Sequence, residues 1–420
     1  MTAAAGRSRG RGARPSRVGI FGKVGAGNIG NDASMEALLG YLSAHQPGAV
    51  VDAMCTGPET VRARYGIDAV PLFWHNKFSN HQDGPVGTGL KVIGKGADAI
   101  RTALWVRRHD VVMVPGAGVL EASLPMIPRA FPYALFLLSA WGRVFGTRVG
   151  LVSVGAGAIN QPLTRFFFNT AARLASYRSY RDPGAKEAMR ARGLDVSQDH
   201  VYPDLAFALA PPPAVPVDEQ TVAVGVMEYN GTNDERKQAA DIYARYVDAM
   251  TTFVRHLVDE GRKVLLIVGD VNGSDDAVAR QILTDVRASR PGLREDVMTL
   301  AALERYGDVM AALGPVHSVV AIRYHNVLCG LKMSKPTVGI SYSPKHDVLM
   351  AEMGLPEFSL AVSTLDPAEL ASRFAELEKR APELRQTLDA HNQERARLVQ
   401  DLFGELSSRL FTTGQKAGER

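Results

Sequence analysis

The residues best suited to chemistry lie in one stretch that reads VVAIRYHNVLCGLKMSKPTVGISYSPK. Its two apolar runs, 318–322 and 337–341, are typical of buried strands, and the segment between them is typical of a helix. Arg323 and His325 follow the first run, and Lys345 follows the second. Parallel strands joined by a crossover helix end at the same edge of a sheet, so these side chains should meet there. Such a cationic pocket with a titratable histidine suits an enzyme that acts on an anionic, phosphorylated small molecule.

Three earlier strand-like runs, 17–22, 110–115 and 148–154, each lead into glycines. Repeated glycine turns at one sheet edge favour a ligand cleft there. A fourth run ends at Arg181, which either joins this edge or forms an ion pair with Asp182 at a helix start. The candidate acceptor or loop contacts lie in these turns and after the strand-like run that begins at residue 221. They are Gly27, Asn28, Gly30, Asn31, Asp32, Gly116, Gly118, Gly155, Gly157 and Glu228.

With 420 residues, the chain is long enough for two domains of ordinary size. Five of the 48 basic residues lie in the first 17 positions, which contain no acid. The rest of the chain is close to neutral, which gives no support for nucleic-acid binding. A proline cluster interrupts the α/β pattern near the middle. We therefore predict five segments: a disordered basic tail (1–17), a Rossmann-like domain (18–209), a proline-rich linker (210–220), a second Rossmann-like domain (221–365) and a helical segment that packs back across the domains (366–413).

Metal, cofactor and membrane-span signals are weak throughout the sequence. Two cysteines do not suggest a zinc site or a disulfide framework. The most apolar window, 130–141, is too short to cross a bilayer. The polar, glycine-rich segment 73–96 is typical of a mobile surface loop. We expect a cytoplasmic enzyme that needs no metal or cofactor, with at most peripheral contact between its basic tail and anionic lipid.

Several motifs together resemble those of the polysaccharide pyruvyl transferase family. They are GAGNIGND (25–32), PGAGVL (115–120), SVGAG (153–157), YRDPGAKEAM (180–189), YPDLAF (202–207) and AIRYHNVLCGLKMSKPTVGISYSPK (321–345). The resemblance implies two Rossmann-like domains arranged as in GT-B glycosyltransferases, with the active site in the interdomain cleft. It also implies transfer of a pyruvyl group from phosphoenolpyruvate to two hydroxyls of a sugar, which forms a cyclic ketal and releases phosphate.

The resemblance also implies roles for individual residues. Four residues occupy positions that match the family's motifs. Arg181, Arg323 and Lys345 would be cations that bind the donor, and His325 would be the catalytic residue. Family members more often read GNxGD at the first loop, whereas Asn31 stands before Asp32 here, which leaves open which of these two faces the ligand. The implied acceptor is a sugar of a cell-surface glycan or its precursor, and a lipid-linked oligosaccharide is among the candidates.

These residue types suit that chemistry independently of the resemblance. Phosphoenolpyruvate carries a carboxylate and a phosphate, about three negative charges near neutral pH. Arginines can bind such groups bidentately, and a lysine supplies a compact charge. His325 can protonate the methylene carbon, because an imidazole gains and loses protons near pH 7; alternatively, His325 caps the crossover helix. The general base stays open among four strand-end carboxylates, Asp32, Glu121, Asp204 and Glu228.

Two other functions fit the same architecture. One is a GT-B glycosyltransferase with a nucleotide-sugar donor, which differs from the first reading in its donor. The other is a non-catalytic protein that binds sugar phosphates, which would need the arginines but tolerate the loss of His325. The identity of the donor and the requirement for His325 therefore distinguish the three functions.

Overall fold

A computed structural model describes residues 15–74, 85–121, 127–231, 233–271 and 273–411 of the chain. Within these ranges the strands form two parallel sheets, one in each half, so the predicted pair of Rossmann-like α/β domains is confirmed. Most of the predicted tail and part of the predicted loop at 73–96 lie outside the described ranges. No helix of the described chain is long and apolar enough to cross a bilayer.

Seven strands form the first sheet. They are β1 (Arg17–Gly22), β2 (Val50–Cys55), β3 (Asp68–Pro71), β4 (Val111–Leu120), β5 (Arg148–Ala156), β6 (Tyr177–Tyr180) and β7 (His200–Val201). Their order is β3-β2-β1-β4-β5-β6-β7, and every neighbouring pair is parallel. Starting from β1, the chain therefore adds β2 and β3 on one side of the sheet and then β4 to β7 on the other. All carboxyl ends share one edge, with a topological switch point beside β1.

Six helices connect the strands of this half. They are α1 (Ile29–His45), α2 (Pro58–Tyr65), α3 (Pro85–Val106), α4 (Phe131–Phe145), α5 (Pro162–Leu174) and α6 (Pro183–Ala191). Buried apolar residues of α3 to α6 share one core cluster, and those of α1 belong to two others, so the two groups cover opposite faces of the sheet. The prediction of a loop up to residue 96 was wrong, because α3 begins at Pro85. Packing of α3 against α4 outweighs the low helix propensity of its glycines.

β4 and β5 continue through glycines that the sequence predicted to lie in loops. Gly116 and Gly118 are inside β4, and Gly155 is inside β5. The pairing of these strands becomes irregular between Ala117 and Leu120, and Ala117 has a left-handed φ of 86°. A Cβ on Gly116 would lie 2.8 Å from the Ser153 carbonyl oxygen, so only glycine allows this close approach.

Six parallel strands form the second sheet. They are β8 (Asp218–Val226), β9 (Lys263–Val268), β10 (Met298–Leu300), β11 (Val316–Ala321), β12 (Thr337–Ser341) and β13 (Ser359–Ala361). Their order is β10-β9-β8-β11-β12-β13. Every residue of β11 and β12 is buried, as expected for central parallel strands covered on both faces. β8 begins at Asp218, inside the segment that the sequence predicted as a linker.

The helices of the second half are α7 (Ala239–Asp259), α8 (Asp275–Ser289), α9 (Tyr306–Leu313), α10 (Tyr324–Lys332) and α11 (Pro344–Glu352). They are followed by α12 (Pro367–Lys379) and α13 (Ala381–Leu406), which ends in a π-helical turn (Ser407–Phe411). α10 is the crossover helix between β11 and β12, and α11 follows β12 directly. The first turns of both helices therefore lie at the carboxyl edge of the second sheet.

The end of α13 contacts the first domain. The rings of Phe403 and Tyr41 are 4.9 Å apart, and the Tyr41 hydroxyl lies 2.9 Å from the Ser407 hydroxyl. Tyr202 donates a hydrogen bond of 2.6 Å to Glu405. Buried residues of α13 and α1 belong to one core cluster that also includes strands of the second sheet. This helix therefore joins the two halves of the chain.

Phe403→Ala should destabilise the protein, because Phe403 is only 4% exposed and its loss leaves a cavity between α1 and α13. The expected decrease in the free energy of unfolding is about 3–5 kcal/mol. Phe166→Ala is the matched control, since Phe166 is 56% exposed and its removal should cost far less. Urea denaturation of both variants measures the difference. Equal losses would contradict the packing described for α13.

Candidate active site

A cleft of about 350 Å³ opens between the two sheets at the carboxyl ends of their strands. Four cationic side chains, one carboxylate and one histidine are among its lining residues. They are Lys23, Arg181, Arg323, Lys345, Glu121 and His325. The helices α1, α10 and α11 begin beside it, and the partial positive charge of a helix N-terminus favours anions. The cleft is therefore suited to an anionic ligand.

The structure brings together the four residues that the sequence placed at the sheet edges. Arg181 follows β6 in the first domain, and Arg323 and His325 lie at the start of α10 in the second. Lys345 lies in the first turn of α11. All four line the same cleft, although about 140 residues separate Arg181 from Arg323 along the chain. The meeting of strand ends from two sheets accounts for this convergence.

Glu121 connects the cations of the two domains. Its Oε1 accepts a hydrogen bond of 3.0 Å from Arg181 Nη2, and its Oε2 accepts one of 3.0 Å from Lys345 Nζ. Burial by itself would raise the pKa of Glu121, but Lys345 and Arg181 outweigh burial and hold that pKa below its usual value. A Cβ on Gly155 would lie 2.4 Å from Glu121 Oε1 and 2.7 Å from Arg181 Nη2. Gly155 therefore makes room for the ion pair.

The Tyr324 ring supports the same two cations from the second domain. The Arg181 guanidinium lies 4.4 Å from the ring centroid, and Lys345 Nζ lies 5.7 Å from it. Lys345 also lies 5.7 Å from the centroid of the Tyr342 ring. Cation–π contacts of this kind fix a guanidinium in a plane while its N–H groups remain free to bind anions. Tyr324 and Tyr342 were not recognised in the sequence as site residues.

His325 faces a buried carboxylate from the other domain. Its Nε2 lies 3.7 Å from Asp204 Oδ2, an ion-pair distance that exceeds a hydrogen bond. The same oxygen lies 3.5 Å from Arg181 Nη1, while Asp204 Oδ1 accepts from the Ala206 N–H. Burial would raise the pKa of Asp204, but the neighbouring His325 and Arg181 lower it to about 2. Asp204 is therefore ionised at neutral pH and faces the His325 ring.

Gly30 packs directly against the His325 ring and leaves room for it. A Cβ at this position would lie 1.9 Å from His325 Nδ1 and 2.1 Å from its Cγ. Any larger residue would displace the ring. Gly30 therefore influences the site by setting the position of His325. The glycine in this motif allows α1 to approach the His325 side chain of α10 closely.

Arg323 is held in place by a buried acid. Its Nε and Nη2 each donate a hydrogen bond of 2.7 Å to the two carboxylate oxygens of Asp275, which is completely buried. Nη1 is the guanidinium nitrogen that takes no part in this bidentate pair. A Cβ on Gly269 would lie 2.9 Å from Arg323 Cγ, so Gly269 makes room for the side chain. Nothing in the sequence pointed to Asp275.

Asn28 and Asn31 line the cleft, but Asp32 does not. The Asn28 side chain caps α1 by accepting from the Asn31 N–H, and Asn31 Nδ2 donates to the Lys23 carbonyl. Asp32 is buried, where its Oδ1 accepts from the Gly25 N–H at 2.6 Å and its Oδ2 lies 3.3 Å from Arg64. Asn31 therefore faces the cleft, whereas Asp32 is buried outside its described lining.

The remaining candidate loop residues fall into two groups. Gly116 and Gly118 line the cleft with their backbone. Gly27 and Gly157 are outside the described lining, and the Gly27 carbonyl accepts from the Val271 N–H across the domain interface. Glu228 also lies outside it, where it is exposed and accepts from the Ser274 hydroxyl. Of the four carboxylates considered as general bases, Glu121 is the one among the described lining residues.

Lys23 is a cation of the cleft that sequence reasoning missed. Its Nζ lies 4.9 Å from the centroid of the Phe131 ring. The side chain is open to the cleft, but the surrounding protein partly desolvates the ammonium and lowers its pKa. Among the described residues, no carboxylate offsets this effect. Its position directly after the last residue of β1 was the available signal, because strand ends line such clefts.

A metal ion is not indicated by the described side chains. Within the described ranges, no group of three or more His, Cys, Asp or Glu residues could hold one.

Solved structures with the same architecture define the class of fold. A protein of Listeria monocytogenes assigned as UDP-N-acetylglucosamine 2-epimerase is 13% identical with a TM-score of 0.59, over 94% of this chain and 96% of that one. Anabaena Alr3699/HepE, in complex with UDP and glucose, is 11% identical with a TM-score of 0.57, over 94% and 100%. UDP-GlcNAc 2-epimerase from Neisseria meningitidis, bound to UDP-GlcNAc, is 10% identical with a TM-score of 0.56, over 93% and 99%. The predicted GT-B-like arrangement is thus confirmed.

The sequence itself identifies the family within this class. The profile of the polysaccharide pyruvyl transferase family matches residues 28–344, which is most of the chain. The protein therefore belongs to the polysaccharide pyruvyl transferases, as the resemblance of its motifs indicated. No curated protein sequence matches it significantly.

Gly30→Ala should impair the transferase reaction by moving His325, because the new methyl group would overlap its ring. A displacement of about 1 Å in a catalytic group can lower the rate about 100-fold. Gly40→Ala is the matched control in the same helix, since a Cβ there meets no atom within 4 Å. Steady-state kinetics of both variants, with a crystal structure of Gly30→Ala, provide the measurement. Full activity of Gly30→Ala with an unmoved ring would contradict the packing.

Proposed function

We propose that this protein transfers a pyruvyl group from phosphoenolpyruvate to two hydroxyls of a sugar in a cell-surface glycan or its precursor. The observation that carries the proposal is the convergence of four cations and the His325–Asp204 pair in one cleft, in a chain of this family. A small dianion or trianion fits such a site better than a neutral sugar does. The product is a cyclic ketal, and the phosphate leaves as inorganic phosphate.

In this proposal the cations bind the two anionic groups of the donor. Arg181 and Lys345 are oriented by Glu121 and Tyr324, so little side-chain entropy is lost when the ligand arrives. Arg323 offers its remaining N–H groups while Asp275 fixes its position. Glu121 partly neutralises the site before binding. This pairing prevents uncompensated repulsion between the cations in the empty cleft.

His325 is the proposed proton donor. The first sugar hydroxyl adds to the enol carbon as the neighbouring methylene carbon receives a proton and becomes a methyl group. The second hydroxyl then displaces phosphate from the same carbon. Asp204 is not among the residues that line the cleft and acts as an anionic partner behind the His325 ring. It is therefore a positioning residue.

The two hydroxyl protons need acceptors during the addition and the displacement. Glu121 lines the cleft, but its two ion pairs make it a weak base. The phosphate of the donor is itself available, because the second pKa of a phosphomonoester is about 6. We therefore assign Glu121 to orienting the cations. The phosphate accepts one hydroxyl proton and leaves as hydrogen phosphate, and the other hydroxyl proton replaces the one that His325 gives to the methylene carbon.

Incubation of the protein with phosphoenolpyruvate and a panel of acceptors tests the proposal. The panel includes free sugars, nucleotide sugars and lipid-linked oligosaccharides. The expected result is acceptor-dependent release of inorganic phosphate together with the mass gain of a pyruvate ketal. A parallel reaction with UDP-sugars as donors tests the glycosyltransferase alternative, which the folds of UDP-bound neighbours suggest. Release of UDP without use of phosphoenolpyruvate would contradict the proposal.

Substitutions of Lys345 and His325 should separate donor binding from chemistry. Lys345→Met should raise the KM for phosphoenolpyruvate about 10- to 100-fold, because a charge-assisted contact is lost. His325→Ala should instead lower kcat about 100- to 10,000-fold with a smaller effect on KM. Steady-state kinetics with varied donor measure both constants. If His325→Ala raises KM and leaves kcat intact, His325 is a binding residue only.

Lys23→Met should also weaken donor binding, because Lys23 supplies the cleft with positive charge from the first domain. We expect the KM for phosphoenolpyruvate to rise about 10-fold while kcat stays within about twofold. Lys379→Met is the matched control, since Lys379 is exposed in the last turn of α12. An unchanged KM for Lys23→Met would remove Lys23 from the donor site without affecting the roles of the other cations.

A further inference from the structure

An apolar surface covers α3, α4 and α5 of the first domain. These helices contact one another side by side. Among the described residues, seven of the eleven large exposed hydrophobic side chains lie on them or on the segment that leads into α4. They are Ile100, Leu104, Ile127, Val144, Phe145, Leu163 and Phe166. We call this surface the α3–α5 face. Clustered exposure of this kind marks an interaction site, because isolated exposed residues are the norm.

Aromatic rings add to the α3–α5 face between α4 and α5. Tyr133, Phe136 and Phe167 are partly exposed and lie around the exposed Phe166. The ring centroids of Phe166 and Phe136 are 6.3 Å apart, and those of Phe167 and Tyr133 are 5.5 Å apart. Rings that contact one another at the surface, one of these pairs tilted and the other edge-to-face, form a stiff apolar patch. Such a patch buries a large area against an apolar partner at little entropic cost.

The charged residues of the same region are mainly positive. Residues 122–181 contain seven arginines and not one aspartate or glutamate. Four of these arginines are exposed: Arg129, Arg143, Arg165 and Arg173. Arg107 and Arg108 line a groove with Phe145 at the end of α3. The chain as a whole has nearly equal numbers of acids and bases, so this segment concentrates its positive charge.

We propose that the α3–α5 face docks on an anionic lipid bilayer. Apolar and aromatic side chains beside arginines are the composition of surfaces that lie in the membrane interface. Each arginine near an anionic surface strengthens binding about fivefold. A second copy of the chain fits the face less well. In a symmetric dimer the same patch meets itself, which would bring two positively charged surfaces together.

The face begins at the rim of the cleft. Phe131, the first residue of α4, lines the cleft, and Tyr133 and Phe136 follow it in the same helix. α5 starts beyond the carboxyl end of β5, so Leu163 and Phe166 lie toward the same edge. Docking through this face would therefore bring the cleft close to an acceptor held at the membrane. The docking itself does not depend on the proposed reaction, and its test needs no substrate.

Flotation of the full-length protein with vesicles tests the proposal. We expect it to float with vesicles of phosphatidylglycerol and phosphatidylcholine in equal parts, and much less with phosphatidylcholine alone or at high salt. Phe166→Asp and Ile100→Asp should each lower binding about 10-fold or more. The two substitutions lie in different helices, α5 and α3. If one variant fails to fold, the other still tests the proposal. Val215→Asp is the matched control, because Val215 is 48% exposed and lies outside the face. It should bind like the unaltered protein.

Two results would overturn the proposal. The first is full vesicle binding by Phe166→Asp and Ile100→Asp, with loss of binding when Arg7, Arg9, Arg11 and Arg14 are replaced by serine. The basic tail would then be the membrane contact. The second is a protein that does not float but is a dimer in solution, with Phe166→Asp converting it to a monomer. The face would then be an interface between copies of this chain.

Discussion

The two domains meet at the cleft through charges that pair across their interface. Glu121 of the first domain pairs with Lys345 of the second, and Asp204 of the first lies beside His325 of the second. An uncompensated buried charge costs several kcal/mol. Arg181 of the first domain also pairs with both carboxylates, so the charges of the two domains form one network across the cleft. The contacts that hold the cleft in shape are the same contacts that orient its cations and its histidine.

Topology explains why these groups are available at one place. Parallel strands put all their carboxyl ends on one edge, and the helices that follow present positive N-termini there. Gly30 and Gly155 then supply the space that the charged groups need, since a side chain at either position would overlap His325 or the Glu121–Arg181 pair. Gly269 does the same for Arg323. The glycines thus act as spacers for the cations and for His325.

Much of this arrangement follows from local sequence patterns, and part of it does not. Apolar runs and the βαβ rhythm predicted the two sheets and placed Arg181, Arg323, His325 and Lys345 at strand ends. The contact between Gly30 and His325 joins residues almost 300 positions apart, and no local pattern specifies it. Asp275 was missed for the same reason, because its pairing depends on where α8 packs. The start of α3 was mistaken for a loop because its glycines lower helix propensity, whereas packing on α4 decides the outcome.

A crystal structure of the protein with phosphoenolpyruvate tests the central claim most directly. The account predicts the donor in the interdomain cleft, with its phosphate and carboxylate oxygens within hydrogen-bond distance of Arg181, Arg323 or Lys345. It also predicts that the methylene carbon faces the His325 ring, with Asp204 behind that ring. A donor bound elsewhere, such as the arginine groove at the far end of α3, would contradict the account. So would a donor in the cleft whose methylene carbon points away from His325.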